Sequence, residues 1–219
     1  MQRRYAYDIM KNTFLYIQCQ SCHYINKVPS LKSIKLTSKI RCPFCNRLGD
    51  NAIWPSIEVL ELIKMALNLD VSKYYKKNIS FVIVASSLEL MLEKLISTFV
   101  LPDIMPDHVS ISIITEALLD GYQGRYRLLS LIKKLGYDSF SDGAKKHGKS
   151  NFMKQWDIIA SNRNQFVHGK IEKVEKQELS VDSINIEEFV SDAFLIFIEI
   201  NNSFIKKHFE NTSKEYLIL

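Results

Sequence analysis

Two residues near the end of a predicted helix carry side chains that could act together on a phosphate ester. Arg163 and His168 stand with four residues between them in the segment SNRNQFVHGK, and Asn164 follows the arginine directly. Histidine, with an ordinary pKa of about 6.5, exchanges protons near neutral pH. Arginine stays charged and presents a planar fork that matches phosphate oxygens. Such a pair could transfer a proton and stabilise developing charge, as RNA cleavage by its own 2′-hydroxyl requires.

The spacing alone does not separate a chemical role from a structural one. Residues five apart on a straight helix lie about 140° apart around its axis. Both side chains can serve one pocket only if the helix ends at His168, and Gly169 is well placed as the left-handed residue that ends it. A histidine at a helix C-terminus also complements the helix dipole, which is a purely structural role.

The four cysteines of the chain form a second constellation. They give the pattern C-x2-C-x19-C-x2-C, which fits the spacing of a four-cysteine zinc site, at Cys19, Cys22, Cys42 and Cys45. Two short knuckles each supply two thiolates, which together make a closed tetrahedral set, so the metal would stabilise rather than catalyse. Asn46 and His23 follow the second cysteine of each knuckle and suit the turn or left-handed conformation needed there.

Three other uses of these cysteines are weaker. A disulfide framework needs an oxidising compartment, and the sequence shows no secretory signal. A redox dithiol needs a βαβ context, which the flanking residues do not offer. The string CQSCH also matches a haem attachment pattern with His23 as ligand, but that leaves the second CxxC unexplained. The sequence therefore predicts structural Zn²⁺.

The first 52 residues resemble the zinc-ribbon class, with CQSC and CPFC as the two knuckles. Residues 1–50 hold nine Lys/Arg against two acidic residues, a balance of +7, whereas the remainder has a balance of −2. The segment LKSIKLTSKI alternates apolar and polar residues and predicts a hairpin strand. Members of this class often bind nucleic acid or proteins. The lysines favour a phosphate backbone as partner, but they could equally form a solvated face.

From Trp54 onward the apolar pattern changes to a helical period. We expect a mainly α protein: a linking helix within 53–74 and an antiparallel bundle of four to five helices over 75–219. The predicted bundle helices cover about 75–100, 111–136, 151–168 and 186–210. A basic loop is expected over 139–151 and a polar connection over 170–185. No apolar run is long enough for a membrane span, so we expect a soluble, cytoplasmic protein without a membrane partner.

Within such a bundle, RNQFVHG resembles the R-x4–6-H motif of the HEPN superfamily. The resemblance implies a metal-independent endoribonuclease with Arg163, Asn164 and His168 in its active site, which two copies of the chain complete as a homodimer. It also implies an acidic residue on the first bundle helix that orients the arginine, either Glu89 or Glu93. A role as a toxin or in anti-phage defence follows from the resemblance alone, with tRNA or mRNA as target and a neutralising or regulatory protein as a further partner.

Two other functions fit the same sequence. One is a non-catalytic HEPN module that binds a nucleotide or nucleic acid and uses Arg163 only as an anion contact. The other is a zinc-stabilised interaction or regulatory protein in which Arg163 and His168 have structural roles.

Overall fold

The structure is a computed structural model that describes residues 14–29, 40–49, 51–69, 74–100, 113, 117, 124–134, 136–169 and 183–215. Within these ranges the chain is mainly helical, with six α-helices and a three-stranded antiparallel sheet that carries the cysteines near the N-terminus. The predicted fold class is therefore confirmed. No helix in the described ranges is long and apolar enough to cross a membrane.

The sheet has the strand order β2-β1-β3, with β1 at Phe14–Cys19, β2 at Ile25–Pro29 and β3 at Asn51–Ile53. Its small core contains Ile17 and Val28, because alternate residues of a strand face the same side. The predicted strand LKSIKLTSKI occupies residues 31–40, nearly all of which lie outside the described residues.

Helix α1 (Ile57–Leu67) and helix α2 (Tyr74–Leu95) follow the sheet, and α2 continues into a π-helical turn at Ile96–Val100. The linking helix is thus present, and it packs closely on α2 by burying Ile63 and Ala66 completely. Helix α3 (Gly124–Lys134) ends before Gly136, whose φ of 72° gives the stop expected from the sequence.

Helix α4 (Phe140–Lys146) lies where the sequence predicted a basic loop, so that prediction is wrong. The Ser139 Oγ accepts a hydrogen bond from the Asp142 backbone N–H at 3.2 Å and caps the helix. Phe140 and Ala144 are buried, and packing against neighbouring helices therefore outweighs the two glycines and the many polar residues of the segment.

Helix α5 (Phe152–Val167) and helix α6 (Ile186–Glu215) complete the bundle. Asn185 caps α6 through hydrogen bonds from the N–H groups of Glu187 and Glu188 to its Oδ1. The aromatic rings on these helices meet in one core, where Phe140, Trp156 and Phe197 lie with ring centres 4.8 to 5.9 Å apart. The aromatic side chains of the last helix therefore lie largely in the core, with Phe189, Phe194, Phe197 and Phe204 all buried.

Asparagine side chains of α6 attach the sheet to the helices. Asn202 pairs with both backbone groups of Ile25: its Oδ1 accepts from the N–H and its Nδ2 donates to the C=O, each at 2.9 Å. Asn201 Nδ2 donates to the His23 carbonyl at 3.1 Å. Strand β2 is an edge of the described sheet, and α6 thus satisfies backbone groups that an edge would otherwise leave open.

Candidate functional site

The end of helix α5 positions the residues that the sequence predicted for chemistry. His168 is the C-cap, with its N–H donating to the Asn164 carbonyl at 3.1 Å, and Gly169 has a φ of 66°. The helix therefore ends where the sequence predicted. The His168 side chain is exposed and Asn164 is half-buried, so both can be reached from solvent.

Arg163 is tied to helix α2. Its Nη2 donates a hydrogen bond to Glu89 Oε1 in an ion pair whose side chains are about three-quarters buried. Of the two acidic residues considered from the sequence, Glu89 and not Glu93 makes this contact. The Arg163 Nε is buried without a hydrogen-bond partner, so the donors left for a ligand are those of the two terminal nitrogens.

The structure does not join Arg163 to His168. Among the described residues, no hydrogen bond or ion pair links their side chains. Arg163 contacts Glu89 of α2, whereas His168 follows the last residue of α5, Val167, and is exposed. One chain therefore presents these three residues at one helix end without bringing them into contact.

A polar cluster that the sequence analysis missed lies two to three turns earlier on α5. Arg125 of α3 is 5% exposed, and its Nη2 donates to Asp157 Oδ1 at 2.5 Å. The Tyr126 hydroxyl donates to the same oxygen at 3.1 Å. Asp157 precedes Asn164 by seven residues and therefore lies on nearly the same face of α5. The sequence signal that could have revealed this cluster is a row of polar residues at helical spacing, at positions 157, 161, 164 and 168.

The four cysteines converge to one point. Their Sγ atoms all lie within 4.8 Å of one another, with Cys22 and Cys42 at 3.6 Å and Cys19 and Cys45 at 3.8 Å. These distances exclude disulfides, whose sulfurs lie about 2.05 Å apart. The cluster could hold a metal ion, and it includes all four cysteines that the sequence indicated.

The two knuckles share one backbone geometry. The N–H of His23 donates to the Cys19 carbonyl at 2.7 Å, and the N–H of Asn46 donates to the Cys42 carbonyl at 3.0 Å. His23 and Asn46 have φ values of 59° and 60°, so the left-handed conformation predicted at both positions is confirmed. Each knuckle thereby turns two sulfurs toward the common centre.

The environment of the thiols differs from one cysteine to the next. Burial raises the pKa of the Cys22 thiol and also that of Cys42. For Cys45 burial acts in the same direction, but hydrogen bonds from the Arg47 backbone and neighbouring thiols outweigh it, so its pKa is lowered. The pKa of His23 beside them is lowered by burial and by the charge of Lys94.

Comparison with protein-family models, with curated proteins and with solved structures found no match for this chain. The function is therefore argued from the contacts and chemistry of the residues themselves.

Proposed function

We propose that the protein is a metal-independent endoribonuclease of the HEPN type, with Arg163, Asn164 and His168 as its active-site residues. The observation that carries the proposal is the ion pair between Arg163 and Glu89. It supports the proposal because the resemblance to the superfamily implies an acidic residue on the first bundle helix that orients the arginine.

The reaction needs only groups that these residues and RNA supply. The 2′-hydroxyl of a ribose attacks the adjacent phosphorus, and the bond from phosphorus to the 5′-oxygen breaks. His168 takes up the proton of the 2′-hydroxyl and delivers it to the departing 5′-oxygen, so the proton balance needs no further group. Arg163 stabilises the negative charge that develops on the phosphorane oxygens. Asn164 donates a hydrogen bond to the phosphate, and the products are a 2′,3′-cyclic phosphate and a 5′-hydroxyl.

The separation of Arg163 and His168 within one chain favours a site made by two copies. His168 is exposed at the end of α5, where a second chain can approach it. In the proposed homodimer the helix ends of both copies face one cleft, and the arginine of one chain works with the histidine of the other. The same separation also favours the second candidate function, a module that binds RNA through Arg163 without cleaving it.

We further propose that the cysteine cluster holds one structural Zn²⁺. A tetrahedral site with Zn–S bonds of about 2.3 Å places its sulfurs about 3.8 Å apart. The observed separations of 3.6 and 3.8 Å fit this edge length. All four positions would be filled by sulfur, so the metal has no open position for substrate and fixes the basic N-terminal module that we propose to contact RNA.

The experiment that tests the endoribonuclease compares three variants on short synthetic RNA: Arg163→Ala, His168→Ala and, as a matched control, Lys154→Ala on the exposed side of the same helix. We expect the first two to lose cleavage by at least about 100-fold while their melting temperatures hold. The control should cleave like the wild type, with EDTA present, and yield cyclic phosphate ends.

Two results separate the candidate functions. Wild-type protein that binds RNA but leaves it intact between pH 6 and pH 9 would reject the enzyme and favour the binding module. A chain that stays monomeric while cleaving at full rate would reject the site made by two copies.

A further inference from the structure

A cavity of about 540 Å³ lies between the cysteine-bearing sheet and the helices. Its volume falls within the range of small-molecule sites, about 300 to 1,000 Å³. The sheet, the segment before α1, and helices α2 and α6 all contribute to its lining, which includes Gln18, Trp54, Leu90, Lys94, Phe197 and Asn201. None of these residues takes part in the proposed cleavage.

The walls of the cavity suit a flat, uncharged group. The Trp54 ring packs edge-on against Tyr16 at 6.4 Å and Phe194 at 5.7 Å, so its orientation is fixed before any ligand arrives. Leu90 is 47% exposed and adds an apolar side chain to the same lining. The two charged residues of the lining, Lys94 and Glu58, have opposite signs, and a neutral ligand therefore fits better than an ion.

Two amides of the lining are oriented by the same carbonyl. Gln18 Nε2 donates to the His23 C=O at 3.2 Å, and Asn201 Nδ2 donates to it at 3.1 Å. Asn201 Nδ2 also donates to Asn202 Oδ1 at 3.1 Å, so its oxygen is the group of this amide left to accept a hydrogen bond from a ligand, whereas Gln18 keeps one N–H as well as its oxygen. The cavity therefore favours a ligand that carries amino donors.

The cavity adjoins the proposed active site. Glu89, which holds Arg163, and Leu90, which lines the cavity, are consecutive residues of α2. The two sites thus occupy neighbouring faces of one helix about 10 Å wide. A single RNA strand whose phosphate lies at Arg163 can reach the cavity with a base one or two nucleotides away.

We infer that this cavity binds one base of single-stranded RNA, preferably a base with an exocyclic amino group, and so selects the sequence next to the cleaved bond. The inference rests on the proposed function only in taking RNA as the ligand. Stacking against Trp54 and apolar contact with Leu90 supply affinity, whereas the acceptor oxygen of Asn201 favours a base that carries an amino donor.

Binding is measured by fluorescence anisotropy with labelled strands of 2′-deoxyuridine that carry one central adenine, cytosine, guanine or uracil. The missing 2′-hydroxyl prevents cleavage, so the measurement does not depend on activity. We expect strands with an amino-bearing base to bind about three- to tenfold more tightly than the all-uracil strand. Equal affinity for all four strands would overturn the inference.

A pair of variants locates the effect. Leu90→Arg places a long charged side chain across the cavity and should remove the preference for amino-bearing bases, whereas its positive charge attracts the phosphates of every strand alike. Met65→Arg on α1 is the control, because Met65 is 50% exposed and does not line the cavity.

In Trp156→Phe protein, Trp54 is the remaining tryptophan, and its fluorescence should fall when the preferred strand binds.

The outcomes also separate this inference from the endoribonuclease. Base preference that survives Leu90→Arg would overturn the cavity assignment even if the wild type cleaves RNA. Base preference that is lost in Leu90→Arg and kept in Met65→Arg would uphold it even if no cleavage is found.

Discussion

Arg163 of α5 donates to Glu89 of α2, and this ion pair joins the two helices that pack against each other most extensively in the described structure. A partly buried pair of this kind contributes little to stability, because desolvation offsets most of the attraction. Its effect on the orientation of the Arg163 guanidinium is larger. The contact fixes one edge of the guanidinium and leaves the remaining donors for a phosphate.

Glu89→Gln tests whether this pair positions the arginine. The amide keeps the shape of the side chain but removes the charge that holds the guanidinium, so we expect kcat for RNA cleavage to fall roughly 10- to 100-fold with a smaller change in KM. The free energy of unfolding should fall by only about 1 kcal/mol or less. Steady-state kinetics and urea unfolding measure the two effects.

Glu93→Gln is the matched control for that experiment. Glu93 lies one turn later on α2 and is also half-buried, and the described structure shows no contact between it and Arg163. Cleavage that falls equally in both variants would count against a positioning role for Glu89. A loss of stability without any change in kcat would indicate a structural ion pair.

Removal of the proposed Zn²⁺ is expected to act on the sheet and not on the helical core. A hydrophobic cluster separate from the main core contains Cys19, Cys22 and Cys42. We therefore expect Cys42→Ser to abolish the binding of one zinc per chain, while the circular dichroism signal of the helices persists. Elemental analysis measures the bound zinc, and limited proteolysis measures whether the sheet stays folded. The absorption of cobalt-substituted protein reports on thiolate ligation, since the chain has no other cysteines. Wild-type protein that resists proteolysis without any bound metal would contradict the assignment.

Ser139→Ala should destabilise the protein by about 1 kcal/mol, because it removes the N-cap of α4. The Ser139 hydroxyl also donates to Asp142 Oδ2 at 2.5 Å and thereby lowers the pKa of that carboxyl. A lowered pKa stabilises the fold above the ordinary pKa of the group, and this contribution is lost as the pH falls through the lowered value. The difference in thermal stability between Ser139→Ala and the wild type should therefore be smaller at acid pH than at neutral pH, as measured by thermal unfolding. Ser141→Ala, exposed on the same helix, should have no effect at either pH.

Local features were predictable from the sequence because neighbouring residues determine them. The left-handed conformations at His23 and Asn46 follow from the knuckle pattern, and the end of α5 follows from Gly169.

The helix α4 was missed because its segment holds two glycines and many charges. Gly143 lies inside this helix because α6 approaches closely: an added Cβ would meet Ile200 Cδ1 at 3.2 Å. The spacing of Ser139 and Asp142 is typical of a helix N-cap and could have predicted this helix.

Contacts between distant parts of the chain were not predictable in the same way. The choice between Glu89 and Glu93 depends on how α2 is rotated against α5, which hydrophobic periodicity fixes only to within a broad face. The cavity beside Trp54 depends on where the sheet sits on the helices. That placement comes from Asn201 and Asn202, about 177 residues away in sequence from the strand they contact, and no local pattern marks these asparagines.

Asn202→Ala should loosen the sheet from the helices without releasing metal. The substitution removes the two hydrogen bonds to Ile25, each worth about 1 kcal/mol, from the edge of the sheet. We expect amide exchange at Ile25 to rise about fivefold or more, as measured by hydrogen–deuterium exchange, with unchanged zinc content. Ser203→Ala, the next residue of α6, loses only a bond to its own helix and should leave exchange at Ile25 unchanged. If Asn202→Ala leaves this exchange as slow as in the wild type, the attachment of the sheet depends on other contacts, and the cavity should keep its shape in that variant.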